Sequence, residues 1–392
     1  MTVTRGRARS LFTVMAVVVL ALAGCSTQRE GSGTSADASG KCARSADASA
    51  QYEQTWSESA QALGLSDVEA PPLEICEVDT SEYAADPGDD GYQIALAAQG
   101  PTNSWALTNE EAFQYAAEQR NVEVLYASAN GDATKQVDNI QQLAAQQPDA
   151  MVVVPMGPGI TGQVRAAAQQ GTPVVLCAGR LEGNHGAVTT VTRSYEMQAT
   201  LWAEWLIQRL DGQGKVAMLS GIPGVPTAEY QKAAAEKVFA KEPGIDVVAK
   251  QYTDWSPTKA KTVAASLLAK YPDLDGIWSD SAISDLGVVQ AYREAGKPVP
   301  PVTGDSSNAF LKAVEGSDVP FALSAFPPEM STECLDVTLD VLEGKPVPDF
   351  VNVEAAAFTD EQLKDYVRPE CTDNLWVPSN LPQPLLTELE LC

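Results

Sequence analysis

Histidine, basic residues and long apolar runs are all scarce in this chain, and each scarcity removes a class of function. Lysine and arginine number 26 against 52 aspartates and glutamates, giving a formal net charge of −26 over 392 residues. Such a balance disfavours nucleic-acid backbones and anionic membrane surfaces, and it favours solubility. No helix-turn-helix pattern precedes the core, so no nucleic-acid partner is expected. The one histidine, His185, sits in a Gly-Asn-His-Gly turn, and there is no Cys-x-x-Cys pair. Zinc chemistry and a histidine-based triad are thereby excluded, and no metal or other cofactor is expected. The apolar run over 11–22 is too short for a secure transmembrane helix.

That run nevertheless has a use. Arg5, Arg7 and Arg9 precede it and Leu22-Ala23-Gly24-Cys25 closes it, the layout of an export signal. Leu-Ala-Gly-Cys resembles a bacterial lipobox, which implies cleavage before Cys25 and lipid attachment to its thiol. Residues 1–24 are therefore expected to be a lipoprotein signal peptide, and the protein to be extracytoplasmic and lipid-anchored to the bacterial cell membrane. The polar, low-complexity stretch 25–40 cannot bury enough apolar surface to fold and reads as a tether, spanning about 20 Å r.m.s.. Six cysteines remain, and an exported chain favours disulfides. Cys42 is expected to pair with Cys76, and two of Cys334, Cys371 and Cys392 to pair near the tail. Cys177, at the end of an apolar strand, is expected to be a buried free thiol.

With 44% hydrophobic and 20% charged residues, 28 glycines and 25 prolines, the chain is globular and long enough for two cores. Residues 41–90 hold one helical stretch, 52–63, then Pro71-Pro72 and an acidic loop that reads as a boundary. This N-terminal extension is expected to cap the first lobe. Everything after it is organised around the stretch 93–118. Small and apolar residues make a buried strand, Gly100-Pro101 stops it, and a helix follows at once. Ligands bind at the carboxyl end of parallel strands, so Asn103, Ser104 and Trp105 in that loop are candidate ligand contacts. Strands and helices then alternate through two series divided near 190–193, which predicts an α/β fold of two doubly wound parallel-sheet lobes with a ligand cleft between them. Asp132 is placed to cap one helix, and Ser256-Pro257 to open another.

Over roughly 92–359 the chain resembles the type I periplasmic binding proteins, in particular the ribose- and galactose-binding branch. Ile94 to Trp105, Val152-Val153-Val154-Pro155, Thr172-Pro173-Val174-Val175-Leu176, Leu219-Ser220-Gly221-Ile222-Pro223-Gly224 and Val302-Thr303-Gly304-Asp305 carry the resemblance by their order and spacing. It implies three crossing strands, near 191–193, 324–327 and 348–353. Lobe I would then be 91–191 plus 326–349, lobe II 192–325 plus 350–370, and 371–392 a C-terminal tail. The family's aromatic and asparagine positions fall on Trp105 and Asn103, its second-lobe aromatic on Trp255 and its ligand-binding aspartate on Asp305. Two indoles can cover the C–H faces of a sugar while carboxylate and amide groups take its hydroxyls. Departures are informative. Only Arg180 survives of an Asp-Arg pair, Glu229 stands where an arginine often points in, Ser281-Ala282 replaces Asn-Asp beside Asp280, and Phe326 replaces a hinge glutamine. These changes imply a ligand other than ribose or galactose: a less polar polyol, a deoxy sugar or an amino-bearing compound.

The resemblance implies a monomeric solute receptor that delivers a sugar or polyol to an ATP-driven (ABC) permease. The same fold can instead present its closed form to a membrane receptor, which the sequence does not separate. Asp280 and Asp305 could form an acid–base pair, yet both lie in loops of one lobe and nothing marks either as a nucleophile, so no catalysis is expected.

Overall fold

Strands that are apolar on both faces need helices on both sides, and through most of its length the chain supplies them by alternation. The structure, a computed structural model, describes residues 42–89 and 91–392. The expected signal peptide, the lipidated Cys25 and the tether over 25–40 lie outside the described residues. The extension forms α1 (Ala46–Ala62) and β1 (Glu77–Val78). The first series is β2 (Gln93–Ala98), α2 (Ser104–Gln119), β3 (Glu123–Ser128), α3 (Ala133–Ala144), β4 (Ala150–Val153), α4 (Thr161–Gln169), β5 (Val174–Cys177) and β6 (Thr189–Thr192). The second begins with α5 (Tyr195–Arg209), β7 (Gly214–Ser220), α6 (Pro226–Phe239), β8 (Ile245–Tyr252) and α7 (Pro257–Lys270). It continues with β9 (Gly276–Ser279), α8 (Ala282–Glu294), β10 (Val302–Asp305), α9 (Asn308–Val314) and β11 (Phe321–Ser324). The chain returns through α10 (Met330–Leu342), β12 (Val347–Pro348) and β13 (Phe350–Asn352), then forms β14 (Ala357–Thr359), α11 (Leu363–Tyr366) and α12 (Gln383–Glu388).

Two six-stranded sheets result, ordered β13-β6-β5-β4-β2-β3 and β14-β11-β10-β9-β7-β8. The first is parallel throughout, and the second is antiparallel only where β14 joins β11. In each lobe the winding reverses, between β2 and β4 and between β7 and β9, and there the loops diverge and leave a crevice. Burial alternates along the strands: Ile94, Leu96 and Ala98 face Phe113 of α2 and Leu335 of α10, while Ala95 and Ala97 face Ile140 of α3 and Val164 of α4. The second sheet repeats the scheme, with Met218 against Trp202 of α5 and Leu219 against Val288 of α8. Helix starts follow the sequence: Asp132 accepts N–H bonds from Thr134 and Lys135, and Ser256 accepts one from Lys259 with Pro257 opening α7.

Three segments cross between the lobes, after β6, after β11 and between β13 and β14. The third was expected over 348–353. However, β13 lies in the first sheet, with Val351 paired to Val191, so the crossing falls at 353–356. Residues 350–352 extend the first lobe because they complete a parallel edge beside β6. Backbone bonds tie the segments together: Val353 N donates to Thr192 O (3.1 Å) and Ala325 N to Ala356 O (2.7 Å). Arg193, with no solvent-exposed surface, donates from Nη1 to Ala325 O.

The extension caps the first lobe only in part, with its second half, where Val78 is buried against Val188, Val341 and Val347. Tyr52, Trp56 and Ala60 of α1, one turn apart, share a core with Trp202 and Trp205 of α5 and with Phe350 and Ala357, so α1 packs on the second lobe and on the crossing strands. β1 pairs antiparallel with β12. The tail also joins the second lobe: Leu375, Val377, Leu381, Leu385 and Leu391 are buried with Phe310 and Phe321.

Cys42 pairs with Cys76 and Cys371 with Cys392. Cys177 is not free. It is bonded to Cys334, the Cα atoms 5.7 Å apart, because α10 packs across the end of β5. Non-reducing peptide mapping should recover Cys177 linked to Cys334, and a Cys177→Ala/Cys334→Ala variant should lose about 2–5 kcal/mol in denaturant unfolding. Recovery of Cys177 alkylated from unreduced, denatured protein would contradict the pairing.

Candidate functional site: the interlobe cleft

Loops from both switch points meet at one cavity of about 320 Å³. On the first-lobe side it is lined by Gln99, Thr102, Asn103, Ser104 and Trp105 after β2 and by Val154, Pro155 and Met156 after β4. Gly100 makes the turn possible. Its φ is +97°, and a Cβ there would collide with the Asn130 backbone. The chain then enters α2 with Asn103 as its N-cap, its Oδ1 accepting from Ala106 N at 2.9 Å. That bond occupies the amide oxygen and leaves the Asn103 NH₂ group for a ligand. Trp105 is fixed twice. Its ring stacks on Phe326 (5.2 Å between centroids, 24° between planes), and its Nε1 donates to Phe326 O at 2.8 Å. Phe326 lies on the second crossing, so the indole is braced by the hinge.

The second-lobe wall is built around a buried carboxyl group. Asp280, at the end of β9, accepts from Gly221 N (2.8 Å) and from Trp255 Nε1 (3.1 Å). Asp254 and Trp255 both have positive φ, +54° and +51°, an unusual conformation for bulky residues and one that concentrates at functional sites. The turn lays the indole directly over Gly221, where any side chain would collide with the ring. Asp305, at the end of β10, accepts from Ala282 N at the start of α8 (2.8 Å), and Ser281 lies beside it on the cavity wall. Burial pushes the Asp280 carboxyl up to about 8, assisted by Asp305, and pushes Asp305 up to about 7. Asp285, buried just behind them in α8, is raised by the same cause.

Of the residues singled out in the sequence, Asn103, Ser104, Trp105, Trp255, Asp280, Ser281, Asp305 and Phe326 line this cavity. Arg180 and Glu229 do not. Arg180 is held by Glu196, 3.1 Å from Nη1, and its guanidinium lies 3.8 Å above the Tyr230 ring. Glu229 accepts from Gly224 N and from Tyr252 OH, each at 2.8 Å. Both side chains are held by local partners, and among the described residues no lysine or arginine lines the cavity. Among the polar contributors that escaped the sequence reading are Gln198, Gln231 and Trp376. Gln198 and Gln231 enter from α5 and α6, bonded to each other at 3.3 Å; an isolated amide on an apolar helix face was the only signal. Trp376 enters from the tail and donates from Nε1 to Ser104 Oγ at 3.2 Å. Glu370, Cys371 and Cys392 cluster with metal-ligand spacing, but the two sulfurs form a disulfide.

A carboxyl whose folded pKa is raised holds its proton more tightly than in the unfolded chain. Its stabilising contribution is complete below the ordinary aspartate range and is lost as pH rises through the folded value. The melting temperature of the unliganded protein should therefore fall between about pH 4 and 8, with a slope of at most about 1.4 kcal/mol per pH unit for each group. Asp280→Asn and Asp305→Asn should each flatten that profile in calorimetry. A profile of unchanged slope in both variants would show that these groups do not titrate there.

The comparisons agree with this architecture. A family described as the periplasmic binding protein domain matches residues 94–346. The ribose import binding protein of Bacillus subtilis is 25% identical over 284 residues, covering 70% of this chain and 90% of that protein. A xylitol-binding protein of Mycolicibacterium smegmatis is 29% identical over 224 residues, covering 55% of this chain and 62% of that protein. Among solved structures, the periplasmic binding component of the arabinose ABC transporter from Shewanella sp. ANA-3, bound to L-arabinofuranose, superposes with a TM-score of 0.64 at 23% identity, covering 70% of this chain and 93% of that one. Its likeness establishes the fold. With two wound lobes, three crossings and a family match spanning most of both, the chain belongs to the periplasmic binding protein family.

Proposed function

We propose that the protein is an extracytoplasmic solute-binding lipoprotein that captures a small, uncharged, hydroxyl-rich ligand, a sugar or polyol, and delivers it to an ABC permease. The observation that carries this reading is the cavity itself. It has indoles from both lobes, carboxyl and amide groups between them, and no cationic side chain. Aromatic faces suit C–H surfaces of a sugar ring, while carboxyl and amide groups suit its hydroxyls. About 320 Å³ is at the small end of ligand pockets, which run from roughly 300 to 1,000 Å³, and favours a single monosaccharide or polyol. The names of the relatives, a ribose import binding protein and a xylitol-binding protein, support the same class. With Glu229 held elsewhere, the case for an amino-bearing ligand weakens, and a neutral polyol or deoxy sugar fits better.

Capture works by differential affinity. A ligand that touches Trp105 and Asn103 in one lobe and Trp255 and Asp305 in the other binds the closed arrangement better, and so shifts the hinge toward it. The protein acts as a monomer, since one chain supplies both walls. Attachment to the membrane through a lipid on Cys25 rests on Leu22-Ala23-Gly24-Cys25 and the basic and apolar segments before it.

Mass spectrometry of small molecules released from the purified, denatured protein should identify a sugar or polyol, and calorimetric titration should then reproduce its binding. Trp105→Ala and Trp255→Ala should each weaken that binding at least tenfold, about 1.4 kcal/mol, with circular dichroism unchanged. Wild-type affinity in both variants would remove the indole pair from the mechanism.

A further inference from the structure

Trp376 lies well beyond the residues matched by the family, which end at 346, yet it lines the cleft. The segment that carries it is fastened to the loop after β10. Asn308 Nδ2 donates to Arg368 O (2.8 Å) and Thr372 O (3.0 Å), and its backbone N donates to Leu375 O (3.0 Å). Ser306 Oγ donates to Val377 O. Ser306 directly follows Asp305, so the loop that presents the carboxyl group also sets the position of Trp376. The Cys371–Cys392 disulfide closes a covalent ring around the indole's backbone.

From this second-lobe anchorage the side chain reaches the opposite wall. Leu375 and Val377, on either side, are buried in the second-lobe core, whereas Trp376 packs in the first-lobe cluster with Trp105 and Val154. Its indole N–H ends on Ser104, the residue between Asn103 and Trp105. The tail makes a second contact with the first lobe, Asn380 N to Glu329 Oε1 at 2.6 Å. An indole held so firmly between the two ligand-facing loops restricts the space open to a ligand.

We propose that Trp376 is a specificity-determining residue of the cleft, delivered by the C-terminal segment, whose indole limits the size of the ligand accepted. The proposal rests on the sugar or polyol reading of the cleft. A rigid aromatic wall rejects a bulkier ring by overlap and rewards a compact ligand with contact. Trimming it should therefore change which ligands bind, as well as how tightly.

Calorimetric titration of the full chain against xylitol, D-ribose, L-arabinose, D-allose and myo-inositol tests this, with wild type, Trp376→Ala and Trp376→Phe compared. The smallest probe bound by wild type should bind Trp376→Ala at least tenfold more weakly, and the preference over six-carbon probes should shrink. Trp376→Phe, which keeps an aromatic wall but loses the donor to Ser104, should fall between; if the alanine variant does not fold, the phenylalanine variant decides. Equal affinities in the variants and wild type would overturn the proposal and leave the cleft assignment standing. A uniform loss with the ranking intact would also overturn it, since that reports only looser closure. A wild type that binds none of the probes would overturn the ligand class and this proposal with it.

Discussion

A guanidinium without access to water holds the joint between the lobes. Arg193 leaves β6 on the first crossing and donates to Ala325 O on the second, while Ala325 N bonds to Ala356 on the third. Burying a cation costs several kcal/mol even after relaxation, and here the cost is visible as a pKa drawn down to about 9 by burial. The hydrogen bond that Arg193 makes satisfies the Ala325 carbonyl away from water. Trp105 and Phe326 depend on this joint: their stacked rings and the bond to Phe326 O sit one residue from the carbonyl that Arg193 holds. The cavity wall and the hinge are thus one packed unit.

Much of the fold was legible because it is written in local chemistry. Ile94 to Ala98 must be a buried strand, and Gly100 and Pro101 must end it. Asp132 and Ser256 are ready helix caps, through bonds to N–H groups two or three residues on. Most site residues followed, since they sit at strand ends where parallel sheets open. What sequence could not show depends on partners distant along the chain. Cys177 meets Cys334 across 157 residues, a pairing that requires knowing where α10 packs. Arg180 and Glu229 occupy positions that could face the cleft, but Glu196, Tyr230 and Tyr252 draw them aside. Trp376 belongs to no strand–helix unit, so no periodicity pointed to it.

The additions outside the alternating pattern have a common destination. Helix α1 buries Tyr52 and Trp56 beside the tryptophans of α5, and the tail buries its leucines beside Phe310 and Phe321. Both enlarge the core of the second lobe, and each also touches the crossing strands or the first lobe. The second lobe consequently gains apolar core from both additions.

The protonated state that burial favours in Asp280 and Asp305 also changes what the cleft offers. A carboxylate can only accept, whereas a neutral carboxyl has one face that gives a hydrogen and another that receives one. A sugar hydroxyl has the same two-sided character. Below about pH 7, with both protons held, the site can therefore present a hydroxyl with a matching partner in either orientation, without confining a net negative charge beside an uncharged guest.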